Sequence, residues 1–206
     1  MFEDRADAAN KLCPKLSKFS NREDVVIVGL MRGGVITASI ISKALKLKLK
    51  PLIVKKISDS ANSELAIGAI ISPKVTFLNE RLIKKLNISE FTVNKLILEK
   101  WQEIQTISKK FKTSYQGFEG KTAIIVDDGV ATGASVLVAE NFLRLRGTKK
   151  IILATPVIAS DTYKLIQKYF DEIIYLIKEN NFYAVGQFYK NFEQVSDEKV
   201  RDIIQT

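Results

Sequence analysis

The strongest constraint on this chain is an alternation. Short apolar runs suited to buried strands are followed by stretches in which apolar residues recur at helical spacing. Residues 25–29 (VVIVG) read as a strand and 35–45 as a helix. Leu52 to Ile57 reads as a second strand, ending in Lys55 and Lys56. Residues 65–71 and 75–78 suit a hairpin across Ser72, Pro73 and Lys74. Residues 80–112 are charged and periodic and read as two helices broken between Asn87 and Ser89. A strand at 122–126, a helix at 135–146, a strand at 150–155, a helix at 161–169 and a strand at 172–177 follow, then a short helix capped by Ser196. Strands alternating with helices imply an α/β fold: a mostly parallel twisted sheet flanked by helices. The 206 residues suit one domain, with residues 80–120 a helical insertion between core strands.

Hydrophobic residues make up 46%, enough for a substantial core. No apolar run approaches the roughly 20 residues that span a bilayer, so no membrane partner is expected. The N-terminal MFEDRADAANKL lacks a basic segment followed by an apolar one, and a lone Cys13 allows no internal disulfide; both fit the cytoplasm. The net charge of +9 favours anionic partners, phosphorylated small molecules ahead of nucleic acid, because the lysines are spread along the chain. With no histidine, a histidine base or ligand within this chain is excluded, and with one cysteine so is a zinc cluster.

In parallel α/β folds, ligands bind at the carboxyl ends of strands. GLMRGG at 29–34 sits there, but Met31 breaks the dinucleotide fingerprint, and Val35 and Ile36 stand where a P-loop has Lys and Ser/Thr. GKT at 120–122 precedes its strand, whereas a P-loop follows one. IIVDDGVATGAS at 124–135 fits better. Ala131, Thr132, Gly133, Ala134 and Ser135 open a helix whose N–H groups favour an anion. Asp127 and Asp128 repel phosphate but suit hydroxyls or a hydrated Mg²⁺ beside it. A phosphate, vicinal hydroxyls and a metal together describe a phosphorylated sugar.

IIVDDGVATGAS resembles the phosphoribosyl pyrophosphate (PRPP) signature of the type I phosphoribosyltransferases, and VGLMRGGVITASIISKAL resembles their first strand, pyrophosphate loop and first helix. PLIVKKI resembles the second strand. Phe2, Asp4 and Arg5, the block from Lys56 to Ala69, and Phe192 to Glu198 resemble a subgroup of uncharacterised phosphoribosyltransferase-domain proteins. The resemblance implies a type I phosphoribosyltransferase fold and Mg²⁺-dependent transfer of 5-phosphoribose from PRPP to a nitrogenous acceptor, with release of pyrophosphate. It implies that Asp127 and Asp128 take the ribose hydroxyls and hold Mg²⁺ through water, and that residues 131–135 take the 5′-phosphate. Met31, Arg32 and Gly33 match the pyrophosphate loop, which often carries a non-proline cis peptide. Arg32, Lys55 and Lys56 would act on the leaving group, with strand alternation turning one lysine inward and the other to solvent. A small C-terminal hood at 178–206 would cover the base, through Phe182, Tyr183 and the Val185–Gly186 backbone. Glu64 reads either as a site neighbour or as an exposed loop acid.

The 6-oxopurine members carry a third acid where this chain has Ala131, so hypoxanthine, guanine and xanthine are disfavoured acceptors. A homodimer is expected. Two other readings use the same motifs: a PRPP- or nucleotide-sensing regulator able to bind nucleic acid, and a hydrolase of phosphoribosyl compounds.

Overall fold

The run VVIVG becomes β1 (Val25–Leu30), buried along its whole length. The computed structural model describes residues 1–58, 66–111, 113 and 115–205. Around β1 lie α1 (Arg5–Leu12), α2 (Gly33–Leu45), β2 (Lys48–Leu52), β3 (Lys55–Ser58), β4 (Ala66–Ser72), β5 (Val75–Leu78), α3 (Glu80–Lys85) and α4 (Glu90–Phe111). There follow β6 (Thr122–Val126), α5 (Ala134–Leu145), β7 (Lys150–Ala159), α6 (Ser160–Ile166), β8 (Glu172–Glu179) and α7 (Asp197–Gln205). One sheet has the order β2-β1-β6-β7-β8, with every pairing parallel. A second sheet, β3-β4-β5, is antiparallel.

The strand period of two sorts the core into layers. Val25, Ile27, Ile124, Val126, Ile152 and Ala154 pack with Leu12, Ala38 and Ile41 of α1 and α2. Their neighbours Val26, Val28, Ala123, Ile125, Ile151 and Leu153 pack with Val138, Phe142 and Leu143 of α5. On its far side α5 meets the small sheet, where Ala69, Ile71 and Val75 join the same cluster. The opposite face of the small sheet, through Ile57, Ile67 and Ile70, covers itself with Val93, Leu96 and Ile104 of α4. The order of layers is therefore α1/α2, parallel sheet, α5, small sheet, α3/α4. With both faces covered, the central strands carry unbroken apolar runs.

Two sequence expectations change. Leu52 to Ile57 is not one strand. β2 ends at Leu52, and Lys55 starts β3 in the other sheet. Pro51, which has no N–H to donate, is tolerated because β2 is an edge strand. The apolar stretch Leu52-Ile53-Val54 stays buried through the change of sheet, so hydrophobicity alone does not reveal it. The unit between β2 and β6 accordingly begins at Lys55 rather than near residue 80, and it contains a sheet as well as helices. The expected hairpin and the helix break form as read: β4 pairs with β5, and Asn87 takes a left-handed φ of 53° between α3 and α4. No helix among the described residues is long and apolar enough to cross a membrane.

Candidate active site

β1 and β6 are adjacent and parallel, so the segments that leave their carboxyl ends emerge side by side. The RGG turn from β1 and the acidic pair from β6 meet there. A Cβ on Gly33 would overlap the Asp128 carboxylate, and one on Gly34 would lie 2.7 Å from the Val126 carbonyl and 2.9 Å from Asp127 Oδ1. Two glycines are what allow the turn to rest on the acids. The Met31–Arg32 peptide is cis. Together these segments line a cavity of about 570 Å³, floored by Met31, Arg32, Gly33, Asp127 and Asp128 and continued by Thr132, Gly133 and Ser135.

The loop after the acids is tied at several points. The Asp128 N–H donates to Asp127 Oδ1 at 3.0 Å. The Val130 N–H donates to Val157 O at 2.9 Å, and the Ala159 N–H returns to Val130 O at 3.0 Å. The Thr162 hydroxyl donates to the Ala131 carbonyl. Gly133 then turns into α5 with φ 79°, a conformation that suits glycine. Its absent Cβ points toward Thr162 and Ile166 of α6, 3.0 Å from each, and not into the cavity. Gly133 therefore serves the turn, while the cavity receives backbone. Ala131, Thr132 and Ser135 line the cavity, whereas the Ala134 side chain packs into the core.

Asp127, half-buried where it lines the cavity, is pushed well above the ordinary carboxylate range. Burial is the main cause, and the neighbouring Asp128 charge adds to it, with Lys56 pulling the other way. Asp128 is placed differently. Arg5 Nε donates to Asp128 Oδ2 at 2.7 Å, and only 12% of either side chain is exposed. The Tyr189 hydroxyl donates to the Asp128 carbonyl at 2.5 Å. Burial and the nearby carboxylates push that phenol above its usual range, so it remains a donor.

The two lysines separate. Lys56 lines the cavity, while Lys55 does not and pairs instead with Glu103 of α4 at 2.9 Å. The cause is the alternation of β3, which faces α4 on one side. Arg32 reaches the cavity, but its Nε lies 3.2 Å from Asp197 Oδ1 at the start of α7, whose other oxygen binds Lys110 at 2.7 Å. In the hood, Val185 and Gly186 line the cavity, and Val185 sits where a Gly129 Cβ would be. Phe182 and Tyr183 do not line it. Phe182 packs on Phe188 with ring centroids 5.0 Å apart, and Tyr183 is 87% exposed. The aromatic that lines the cavity is Phe192, ten residues further along the chain from Phe182. Glu64 lies outside the described residues.

Arg5, Tyr189, Phe192 and Asp197 acquire contacts in the site that the sequence reading had not assigned. Arg5, Phe192 and Asp197 lie in the terminal stretches FEDR and FEQVSDE, which carry no chemical signature of their own, and Tyr189 lies outside both.

Residues 3–193 match the phosphoribosyl transferase domain family. The chain belongs to this family. As a phosphoribosyl transferase domain it is 35% identical over 202 residues to a provisionally named phosphoribosyl transferase of Mycobacterium tuberculosis; the match covers 97% of this chain and 45% of that protein. The chain thus spans under half the length of that relative. The crystal structure of TT1426 from Thermus thermophilus superposes with a TM-score of 0.78 at 26% identity, covering 98% of this chain and 97% of that one. A hypoxanthine-guanine phosphoribosyltransferase of Bacillus anthracis shares the fold at a TM-score of 0.50 and 10% identity, over 91% and 89% of the two chains.

Proposed function

We propose that this domain transfers a 5-phosphoribosyl group from PRPP to a nitrogenous acceptor and releases pyrophosphate. One observation carries the reading: the acidic pair, the small-residue loop opening α5 and the RGG turn converge on a single cavity of about 570 Å³. The 5′-phosphate sits against Thr132, Ser135 and the first N–H groups of α5, which have no intrahelical acceptors. The ribose hydroxyls meet Asp127 and Asp128. Pyrophosphate lies on the Met31–Gly33 turn, within reach of Arg32 and Lys56.

As the bond to C1 breaks, negative charge gathers on the leaving group, and Arg32 and Lys56 stabilise it. To do so Arg32 exchanges the Asp197 carboxylate for phosphate oxygens, which suit its fork equally well. The acidic pair supplies hard oxygen donors, but no cluster of three or more ligating side chains occurs among the described residues. That fits Mg²⁺ held through water by Asp127 and Asp128 and mainly by substrate oxygens. Bound there, Mg²⁺ supplies charge neutralisation to the diphosphate. The acceptor lies under Val185, Gly186 and Phe192, and Ala131 offers it no proton acceptor.

The test is isothermal titration with PRPP and Mg²⁺, followed by pyrophosphate release across a panel of bases. Micromolar binding with turnover for one acceptor supports the transferase. Binding without any turnover supports the sensing reading, and absence of binding removes both.

A further inference from the structure

Arg5 is remote from the acidic pair in sequence, 123 positions before Asp128, yet the fold delivers it to that carboxylate by three independent contacts. Its Nε donates to Asp128 Oδ2 at 2.7 Å. Its Nη1 donates to the Glu193 carbonyl at 2.9 Å. Its guanidinium carbon lies 3.9 Å from the centre of the Phe192 ring. Phe192 stacks in turn on Tyr189, with centroids 5.0 Å apart and planes 29° apart, and Tyr189 holds the Asp128 carbonyl. The arginine is itself fixed from the N-terminal side. Asp4 caps α1 by accepting from the Ala6 and Asp7 N–H groups, while Phe2 exchanges backbone hydrogen bonds with Phe188 and Lys190.

A planar cation held by a carboxylate, a carbonyl and an aromatic face has little rotational freedom left. It engages one carboxylate oxygen, Oδ2, on the side against which Gly33 rests. Besides this Oδ2 contact, the Asp128 carboxylate meets only the neighbouring Asp127 carboxyl among the described residues, and Asp128 lines the cavity.

We infer that Arg5 is a positioning residue for ribose recognition: by holding Oδ2 it presents Asp128 Oδ1 to one sugar hydroxyl. Resting on the phosphoribosyl reading above, this makes the N-terminal segment part of the sugar site and couples it to the hood through Phe192.

The experiment compares two phosphate monoesters of equal charge, methyl phosphate and ribose 5-phosphate, by titration calorimetry on the full chain. Any general change of field or loss of folded protein moves both affinities together, whereas the sugar contact moves only their ratio. Wild type is expected to prefer ribose 5-phosphate at least tenfold. Arg5→Met should lower that preference to about twofold, with methyl phosphate affinity held within a factor of two. Arg5→Lys keeps the charge but cannot lie flat on Phe192 while bonding both oxygens, so it should fall between. It also reads the same ratio should Arg5→Met fail to fold. A full tenfold preference in the foldable variants, or an equal loss of both affinities, overturns the role of Arg5. A wild type without preference overturns the sugar-site reading and this inference with it.

Discussion

At the residue scale, the two adjacent aspartates differ in what they cost the fold. Asp127 has a raised pKa and Asp128 an arginine partner. A carboxyl whose folded pKa exceeds its unfolded value contributes stability below the unfolded pKa and loses it as pH climbs through the folded one. Asp127→Asn should therefore raise the melting temperature at pH 7, and the gain should shrink toward pH 3, where the carboxyl is largely protonated in both states. Thermal scans across that range check the sign; an equal gain at all pH values would contradict it. Asp128→Asn should instead destabilise by about 2 to 3 kcal/mol, because it leaves a largely buried guanidinium without its counter-charge. Both single variants should weaken PRPP binding by tenfold or more, about 1.4 kcal/mol, measured by calorimetry in Mg²⁺.

At the scale of elements, the loop into α5 and the helix α7 are the informative pieces. Gly133 opens α5 through its backbone, since its φ of 79° and its closeness to α6 leave no room for a side chain. Gly133→Ala should cost about 1 to 3 kcal/mol in chemical denaturation, through a strained backbone and displacement of Thr162 or Ile166. It should also weaken phosphate binding, by moving the first turn of α5 and not by filling the cavity. α7 anchors itself by Val200, fully buried among Ile36, Phe111 and Val195, with Met31 of the RGG turn against the same cluster. Val200→Ala should destabilise the domain by about 2 kcal/mol, with the deficit read by denaturant unfolding. A neutral result would mean that α7 is not packed as described.

For the whole molecule, the packing of the C-terminal segment on the N-terminal one decides which surfaces wall the far end of the cavity. The hood and the N-terminal segment close on each other through Phe2, Tyr189 and the Glu3–Lys190 ion pair at 2.6 Å. The proposed acceptor end of the cavity is thus lined by Val185, Gly186 and Phe192, with no histidine in the chain and only the Ala131 methyl where a carboxylate could have stood. Hypoxanthine, guanine and xanthine should be poor acceptors, with kcat/KM below about 10⁴ M⁻¹ s⁻¹ in steady-state pyrophosphate release. An ordinary enzymatic rate with any of the three would require a base that this wall does not contain.

What the sequence determined by itself was local or periodic. Unbroken apolar runs ending in Asp127-Asp128 and in RGG specified parallel strands and their loops, because strand and helix periods and strand-end chemistry are written in adjacent residues. The hairpin of β4 and β5 and the helix break at Asn87 were legible for the same reason. What only the tertiary structure decided concerned direction and distance. Lys55 and Lys56 were known to face opposite ways, but which one met the cavity depended on a change of sheet after Leu52 that leaves no mark in hydrophobicity. Phe182 and Tyr183 are as aromatic as Phe192, and packing alone sent the first onto Phe188, the second to solvent and the third to the cavity. The partner of Asp128 came from the far end of the chain, and no spacing rule links residues 5 and 128. Such pairs are set by the closing of the hood over the sheet, where the cost of burying one charge is offset only by the residue that the fold brings beside it.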